Sequence, residues 1–201
     1  MKTNSCTIFF VRHGESEANV KNLVGITKCH LSSKGKKQAE ILNKNLEGVN
    51  FETIYSSEFE RAKETAEIIA HGREVKIDGR LNEWNIGRLD GVGQSEFDQE
   101  TNVYFDKNNK LGDSERFITR LYPEMETPKE VSERMSLFIK EKAQRYPGKN
   151  ILAVTHAAAL GFLLIQHKRL KFEQMPIFGK MIPNTSYIRI LSDGDTIELV
   201  K

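Results

Sequence analysis

The sequence predicts an α/β fold: a three-layer α/β/α sandwich around a mixed, mostly parallel central sheet, with an inserted cap-like segment. Two observations carry this. Short apolar, β-rich runs alternate with helical patterns, which argues for a sheet covered by helices on both faces. The last two runs, 187–191 and 196–200, are separated by "SDGD", a turn signal that predicts a terminal hairpin and hence at least one antiparallel strand.

The elements follow in order. A strand at 7–11 leads into the polar stretch "RHGESEAN". A helix at 35–46 sets Ala39, Leu42 and Leu46 on one face, and "KGKK" at 34–37 reads as its solvated start. A strand at 53–55 precedes Ser57 and Glu60, whose capping-box spacing predicts a helix opening at Ser57. After a strand at 75–77, residues 91–127 are polar with scattered aromatics. They read equally as an irregular insertion or as a cap over a site. A helix at 128–144 has Pro128 in its first turn and buries Val131, Met135, Phe138 and Ile139. A strand at 151–154 leads into "AAALGFLLI", a buried helix or strand and too short to span a membrane.

The 201 residues suit a single domain, 1–201, with 91–127 as a cap or specificity insertion. Charged residues make up 29%, but Lys and Arg total 30 against 28 Asp and Glu. A net charge of +2 leaves no footprint for nucleic acid or an anionic membrane. Cys6 and Cys29 form no CxxC pair and read as free thiols in a reducing compartment. The N-terminal apolar run is too short for a signal sequence, so a cytoplasmic location is expected.

Ligands of α/β sheets bind beyond the carboxyl ends of the strands. Three predicted strands end there in chemically loaded residues: the first in Arg12 and His13, the second in Ser56 and Ser57 shortly before Arg61, the late one in Thr155 and His156. Any one of these histidines alone reads as a satisfied core residue, and Arg61 alone as a surface arginine. Together they read as a site. A cation in the first turns of a helix opposes the macrodipole, and an anion bound by Arg61 would resolve that conflict. A metal site is the alternative, since His is a common ligand, but no HExxH occurs and two arginines would repel a cation. A phosphate fits better, with His13 as a nucleophilic nitrogen kept neutral by Arg12. Departure of an alkoxide needs a proton donor. Glu83, between Leu81 and Trp84, is favoured by its apolar setting, with Asp78 and Asp90 as rivals. His30, His71 and His167 read as structural or surface residues.

The segments "VRHGES", "IYSSEFERAKETA", "RLNEWNIGRLDG" and "AVTHAAAL", in that order, resemble the histidine phosphatase superfamily, which includes the cofactor-dependent phosphoglycerate mutases. "HLSSKGKKQAEIL" and "IPNTSYIRI" extend the likeness, which is weakest over 91–127. The resemblance implies a phosphohistidine on His13 and a phosphoryl group held by Arg12, Arg61, His156 and Asn19. It implies Glu83 as general acid and base, and neither metal nor cofactor. The chain departs from the pattern twice. Many members have Trp-Glu-Gly at Leu89-Asp90-Gly91, and glycines at Ala157, Ala158 and Ala159; the alanines keep their backbone N–H groups. The expected function is hydrolysis of a small phosphorylated metabolite. Mutase-type transfer, typical of longer relatives, is the alternative, and a silent phosphate- or phosphopeptide-binding module is a third. Selection among substrates is expected from 91–127, through Phe97, Tyr104, Phe105 and Phe117 and the cations Lys107, Lys110, Arg116 and Arg120.

Overall fold

The computed structural model describes residues 4–105, 110–177 and 181–200, with the backbone alone for Phe105 and 175–177. Lys107 and the Phe105 side chain lie outside the described residues.

Six strands form one sheet: β1 (Cys6–Arg12), β2 (Phe51–Ser56), β3 (Val75–Ile77), β4 (Asn150–Thr155), β5 (Tyr187–Ser192) and β6 (Ile197–Val200). Their order is β3-β2-β4-β1-β5-β6. The pairs β1–β4, β2–β4 and β2–β3 are parallel, while β1–β5 and β5–β6 are antiparallel, so the C-terminal hairpin supplies the antiparallel edge. The register fixes the site. Arg12 lies opposite Thr155, and Ser56 opposite Val154. The residues that follow, His13, Ser57 and His156, therefore leave the sheet at one edge.

Both faces of the sheet are covered. Alternate side chains of a strand point to opposite faces. Phe9 and Val11 pack into one core with Leu42, Ile54, Ala66 and Leu152, under α2 (Ser33–Asn45) and α3 (Glu60–Ala70). Ile8 and Phe10 pack into the other with Tyr55, Phe138, Ile151 and Phe162, under α7 (Pro128–Arg145) and α8 (Ala157–Gln166). Each fully buried large side chain contributes roughly 1.5–3 kcal/mol by burial. This is why β1 and β4 are almost wholly apolar.

Local chemistry sets the helix boundaries. Ser32 caps α2 by accepting from the Gly35 N–H at 3.0 Å. Thr127 and Glu130 form a capping box at the start of α7, with Pro128 at the first helical position. The expected opening of a helix at Ser57 is not found. Helix α3 begins at Glu60 behind Phe59, with no side-chain cap, because the Ser57 hydroxyl is used elsewhere.

Among the described residues, 91–127 form three short helices, α4 (Gln94–Glu100), α5 (Asn102–Phe105) and α6 (Asp113–Ile118). Phe97 and Tyr104 pack edge-on against Trp84, and Phe117 against Phe172. Arg116 pairs with Glu173 at 2.8 Å and Arg120 with Glu130 at 2.6 Å. These aromatics and cations therefore serve packing and ion pairs. A further short helix, α1 (Glu17–Val20), follows β1. Among the described residues no helix is long and apolar enough to cross a membrane.

Candidate active site

The loop after β1 is held from below. The His13 N–H bonds the Thr155 carbonyl at 3.0 Å, and the Gly14 N–H donates to Thr65 Oγ1 at 3.0 Å. Gly14 is pressed against α2: a Cβ there would stand 2.5 Å from the Gly35 carbonyl oxygen. Glycine is needed here for close approach, not for a left-handed turn. Arg12 is buried and donates through Nη1 to the Ile182 carbonyl at 2.6 Å.

His13 is almost completely buried, and each ring nitrogen has one partner. Nδ1 lies 2.7 Å from the Gly14 carbonyl, an acceptor, so it carries the proton. Nε2 then holds the lone pair, and Arg61 Nε donates to it at 3.2 Å. Burial first, then the charges of Arg61 and Arg12, drives the His13 pKa well below its ordinary value; the Gly14 bond opposes them only in part. The imidazole is thus neutral and nucleophilic at Nε2.

Arg61, also buried, sits in the first turn of α3, as its sequence position predicts. Its Nη1 donates to the Ile26 carbonyl at 2.7 Å and reaches Cys29 Sγ at 3.4 Å. Ile26 has φ 52°, an uncommon conformation for a β-branched residue. Its N–H bonds Asp90 Oδ1 at 2.5 Å.

His156 follows β4 with its ring centroid 5.0 Å from that of His13. Its Nε2 lies 2.7 Å from Ser57 Oγ, which also accepts the Phe59 N–H at 3.1 Å. The buried hydroxyl has no other acceptor for its proton among the described residues, so that proton goes to Nε2, and neutral His156 carries its own proton on Nδ1. This Nδ1 is buried and has no protein partner among the described residues. Burial, followed by Arg61, His13, Arg134 and Arg12, lowers the His156 pKa well below the ordinary value. His156 is therefore a neutral N–H donor with no acceptor among the described residues.

Glu83 lies beside this group. Oε1 accepts the N–H groups of Trp84 and Ala159, each at 2.9 Å, and Oε2 accepts that of Ala158 at 3.3 Å. The carboxylate thus seats on the N-terminal turn of α8. This polar seat differs from the apolar setting expected from Leu81 and Trp84. Arg12 feels the charge of Glu83, which opposes the lowering of its pKa by burial. Of the two rivals, Asp78 is tied to Arg80 and Lys142.

Asn19 completes the capping box of α1 through Oδ1, which accepts the Ser16 N–H at 3.1 Å, and its carboxamide nitrogen remains as a donor. Asn184 Nδ2 ties Asn19 Oδ1 to the His13 carbonyl, at 3.4 and 2.9 Å. The fold thus gathers Arg12, His13, Arg61 and His156 directly, with Glu83 and Asn19 at their margin. Ser57, Thr65, Asn184 and Arg134 also shape the site, and the sequence did not single them out for it. Only Ser57 carried a signal, as a strand-end hydroxyl.

Buried arginines and neutral histidines gathered at one strand-end edge make a site suited to an anionic group, with the His156 Nδ1–H unpartnered among the described residues. Residues 8–201 match the model of the histidine phosphatase superfamily (branch 1), and the chain belongs to that family. It is 28% identical over 160 residues to the uncharacterized phosphatase PhoE of Bacillus subtilis, covering 79% of this chain and 76% of that protein. A 2,3-bisphosphoglycerate-dependent phosphoglycerate mutase of Thermoplasma acidophilum is 40% identical over 91 residues, 43% of this chain and 46% of that one. The fold is shared with a phosphoserine phosphatase from Entamoeba histolytica, solved in complex with 3-phosphoglyceric acid. That match has TM-score 0.78 and 22% identity, and covers 98% of this chain and 95% of that one. The relatives thus include phosphatases and mutases.

Proposed function

We propose that the chain is a phosphomonoesterase that hydrolyses a small phosphorylated metabolite through a phosphohistidine on His13. One observation carries this reading. His13 is held neutral, with Nδ1–H on the Gly14 carbonyl and the Nε2 lone pair turned to the Arg61 guanidinium.

In the first step Nε2 attacks phosphorus, the N–P bond forms, and the bond from phosphorus to the leaving oxygen breaks. Glu83 delivers the proton that the leaving oxygen needs. Arg12, Arg61, the His156 Nδ1–H and the Asn19 carboxamide receive the three equatorial oxygens, over which charge is spread in the loose transition state. Two guanidinium groups supply the positive charge that a metal ion supplies elsewhere. In the second step Glu83 takes a proton from water, the oxygen attacks phosphorus, and the N–P bond breaks, restoring His13. Residues 91–127 belong to the same domain and hold the Glu83 loop through Trp84. The free, buried Cys6 and Cys29 support a reducing, cytoplasmic setting.

The test is turnover of 4-nitrophenyl phosphate with trapping of an acid-labile, base-stable phosphoenzyme. The unchanged protein is expected to form both product and phosphoenzyme, and His13→Ala neither. Near-normal turnover by His13→Ala would refute the assignment. Turnover that requires a bisphosphate primer and returns phosphate to a second substrate hydroxyl would favour the mutase.

A further inference from the structure

A cleft of about 500 Å³ opens from the site, sharing Glu83 and Phe59 with it. The part of the substrate that departs with the leaving oxygen must lie here, because Glu83 protonates that oxygen. The charged residues lining the cleft are Glu83, Asp90, Glu126 and Arg134. Of residues 91–127, Glu126 alone among the described residues contributes to the lining.

Among the described residues Arg134 is the one cation of that lining, and it has no donor to spare. A guanidinium has five N–H donors. Here Nε bonds Glu126 Oε1 at 2.8 Å. Nη1 bonds the carbonyls of Arg80 and Asn82 at 2.8 and 2.7 Å, and Nη2 bonds the Glu83 carbonyl and Glu126 Oε2, both at 3.0 Å. All five are used, and the pair neutralises Glu126. Asp90 has no such partner. Its side chain accepts the Ile26 N–H and makes no ion pair among the described residues. The cleft beyond the phosphoryl pocket is thus negative, and no lining guanidinium is free to receive a second anionic group.

Resting on the phosphatase reading above, we infer that the enzyme selects phosphomonoesters whose leaving alcohol carries hydroxyl or ammonium groups and no carboxylate, and that Asp90 sets this selection. A hydroxyl or ammonium finds an acceptor in the Asp90 carboxylate. A carboxylate there meets a like charge, which in partly wet surroundings is worth about tenfold in affinity.

The experiment uses matched pairs. Glycerol 3-phosphate and 3-phosphoglycerate differ by a hydroxymethyl against a carboxylate; O-phosphoethanolamine and 2-phosphoglycolate differ by an ammoniomethyl against a carboxylate. Two readouts are taken: kcat/KM with the unchanged chain, and calorimetric affinity with His13→Ala, which reads charge preference without turnover. The carboxylate-free member of each pair is expected to win by about tenfold or more in both. Asp90→Asn keeps an acceptor for the Ile26 N–H but removes the charge, and is expected to narrow each ratio several-fold. Equal or tighter binding of the carboxylate members, or no measurable binding of either pair, overturns the inference. Ratios that Asp90→Asn leaves unmoved overturn the role of Asp90. 4-Nitrophenyl phosphate separates the two readings. Its hydrolysis alongside a preference for carboxylates sinks the selectivity alone. The expected binding order without any hydrolysis sinks the phosphatase reading and leaves the selectivity standing.

Discussion

Acid should weaken this fold through the two buried histidines that face each other across the site. His13 and His156 are pushed well below their ordinary pKa by burial and then by Arg61, with Arg12 adding to both. In the unfolded chain each titrates near 6.5. Between that value and the depressed folded value, the unfolded state binds more protons than the folded one. The stability that neutral burial secures is therefore present above about pH 6.5 and is lost as pH falls toward the folded pKa. Going from pH 7.5 to 5.5, a histidine that stays neutral only in the fold costs about 1.4 kcal/mol, and two cost about 2.7 kcal/mol. The control is the His13→Asn, His156→Asn double variant, which keeps every other titrating group. Those include His167, lowered by burial, and His30, raised by its hydrogen bond to Glu64; His30 works in the opposite direction, stabilising below its folded pKa. Urea unfolding of both proteins at the two pH values, in phosphate-free buffer, gives the double difference. The unchanged protein should lose about 2.7 kcal/mol more than the variant. Equal losses would show that the histidines charge freely in the folded state, and the neutral nucleophile would go with them.

Two further outcomes follow from single contacts. Ser57→Ala removes the hydroxyl that fixes the His156 tautomer; a lost bond of about 1 to 1.5 kcal/mol should lower kcat roughly five- to tenfold with little change in thermal stability. An unchanged kcat in steady-state assays would mean that Ser57 does not orient His156. Gly14→Ala puts a methyl 2.5 Å from the Gly35 carbonyl oxygen, and overpacking of this kind costs about 1–3 kcal/mol. Its melting temperature should fall by roughly 2–4 °C per kcal/mol, and calorimetry showing no fall would remove the steric argument.

The parts of this protein that could be read from sequence are those in which one residue's environment follows from its neighbours in the chain. Strands β1 and β4 are covered on both faces, so they are almost wholly apolar and stand out. Arg12 ends β1, and His13 and His156 directly follow β1 and β4, so their common edge could be inferred from parallel pairing alone. Helices α4, α5 and α6 are too short to show a repeating apolar face, and the polar composition of 91–127 concealed how firmly Phe97 and Tyr104 are packed. Ser57 was misread because the spacing to Glu60 fits a capping box equally well. Only the fold shows a histidine waiting for that hydroxyl across the sheet. Arg134 looked like any arginine on an amphipathic helix; its carbonyl partners lie more than fifty positions earlier in the chain. The alanines after His156 were correctly expected to keep their N–H groups, but that those groups hold Glu83 needed the fold.

The hydrogen bond from Arg61 Nε to His13 Nε2 has a consequence for selectivity between charged and uncharged esters. In the resting site the lone pair that would attack is covered by a guanidinium N–H. An incoming phosphate monoanion or dianion competes for that N–H with full negative charge and draws it off. A neutral ester, such as a phosphotriester, brings no charge with which to compete, and the nitrogen stays covered. On the phosphatase reading, entry of the right substrate and exposure of the nucleophile would be a single event, with the resting site guarded by the same side chain that is proposed to hold the phosphoryl group.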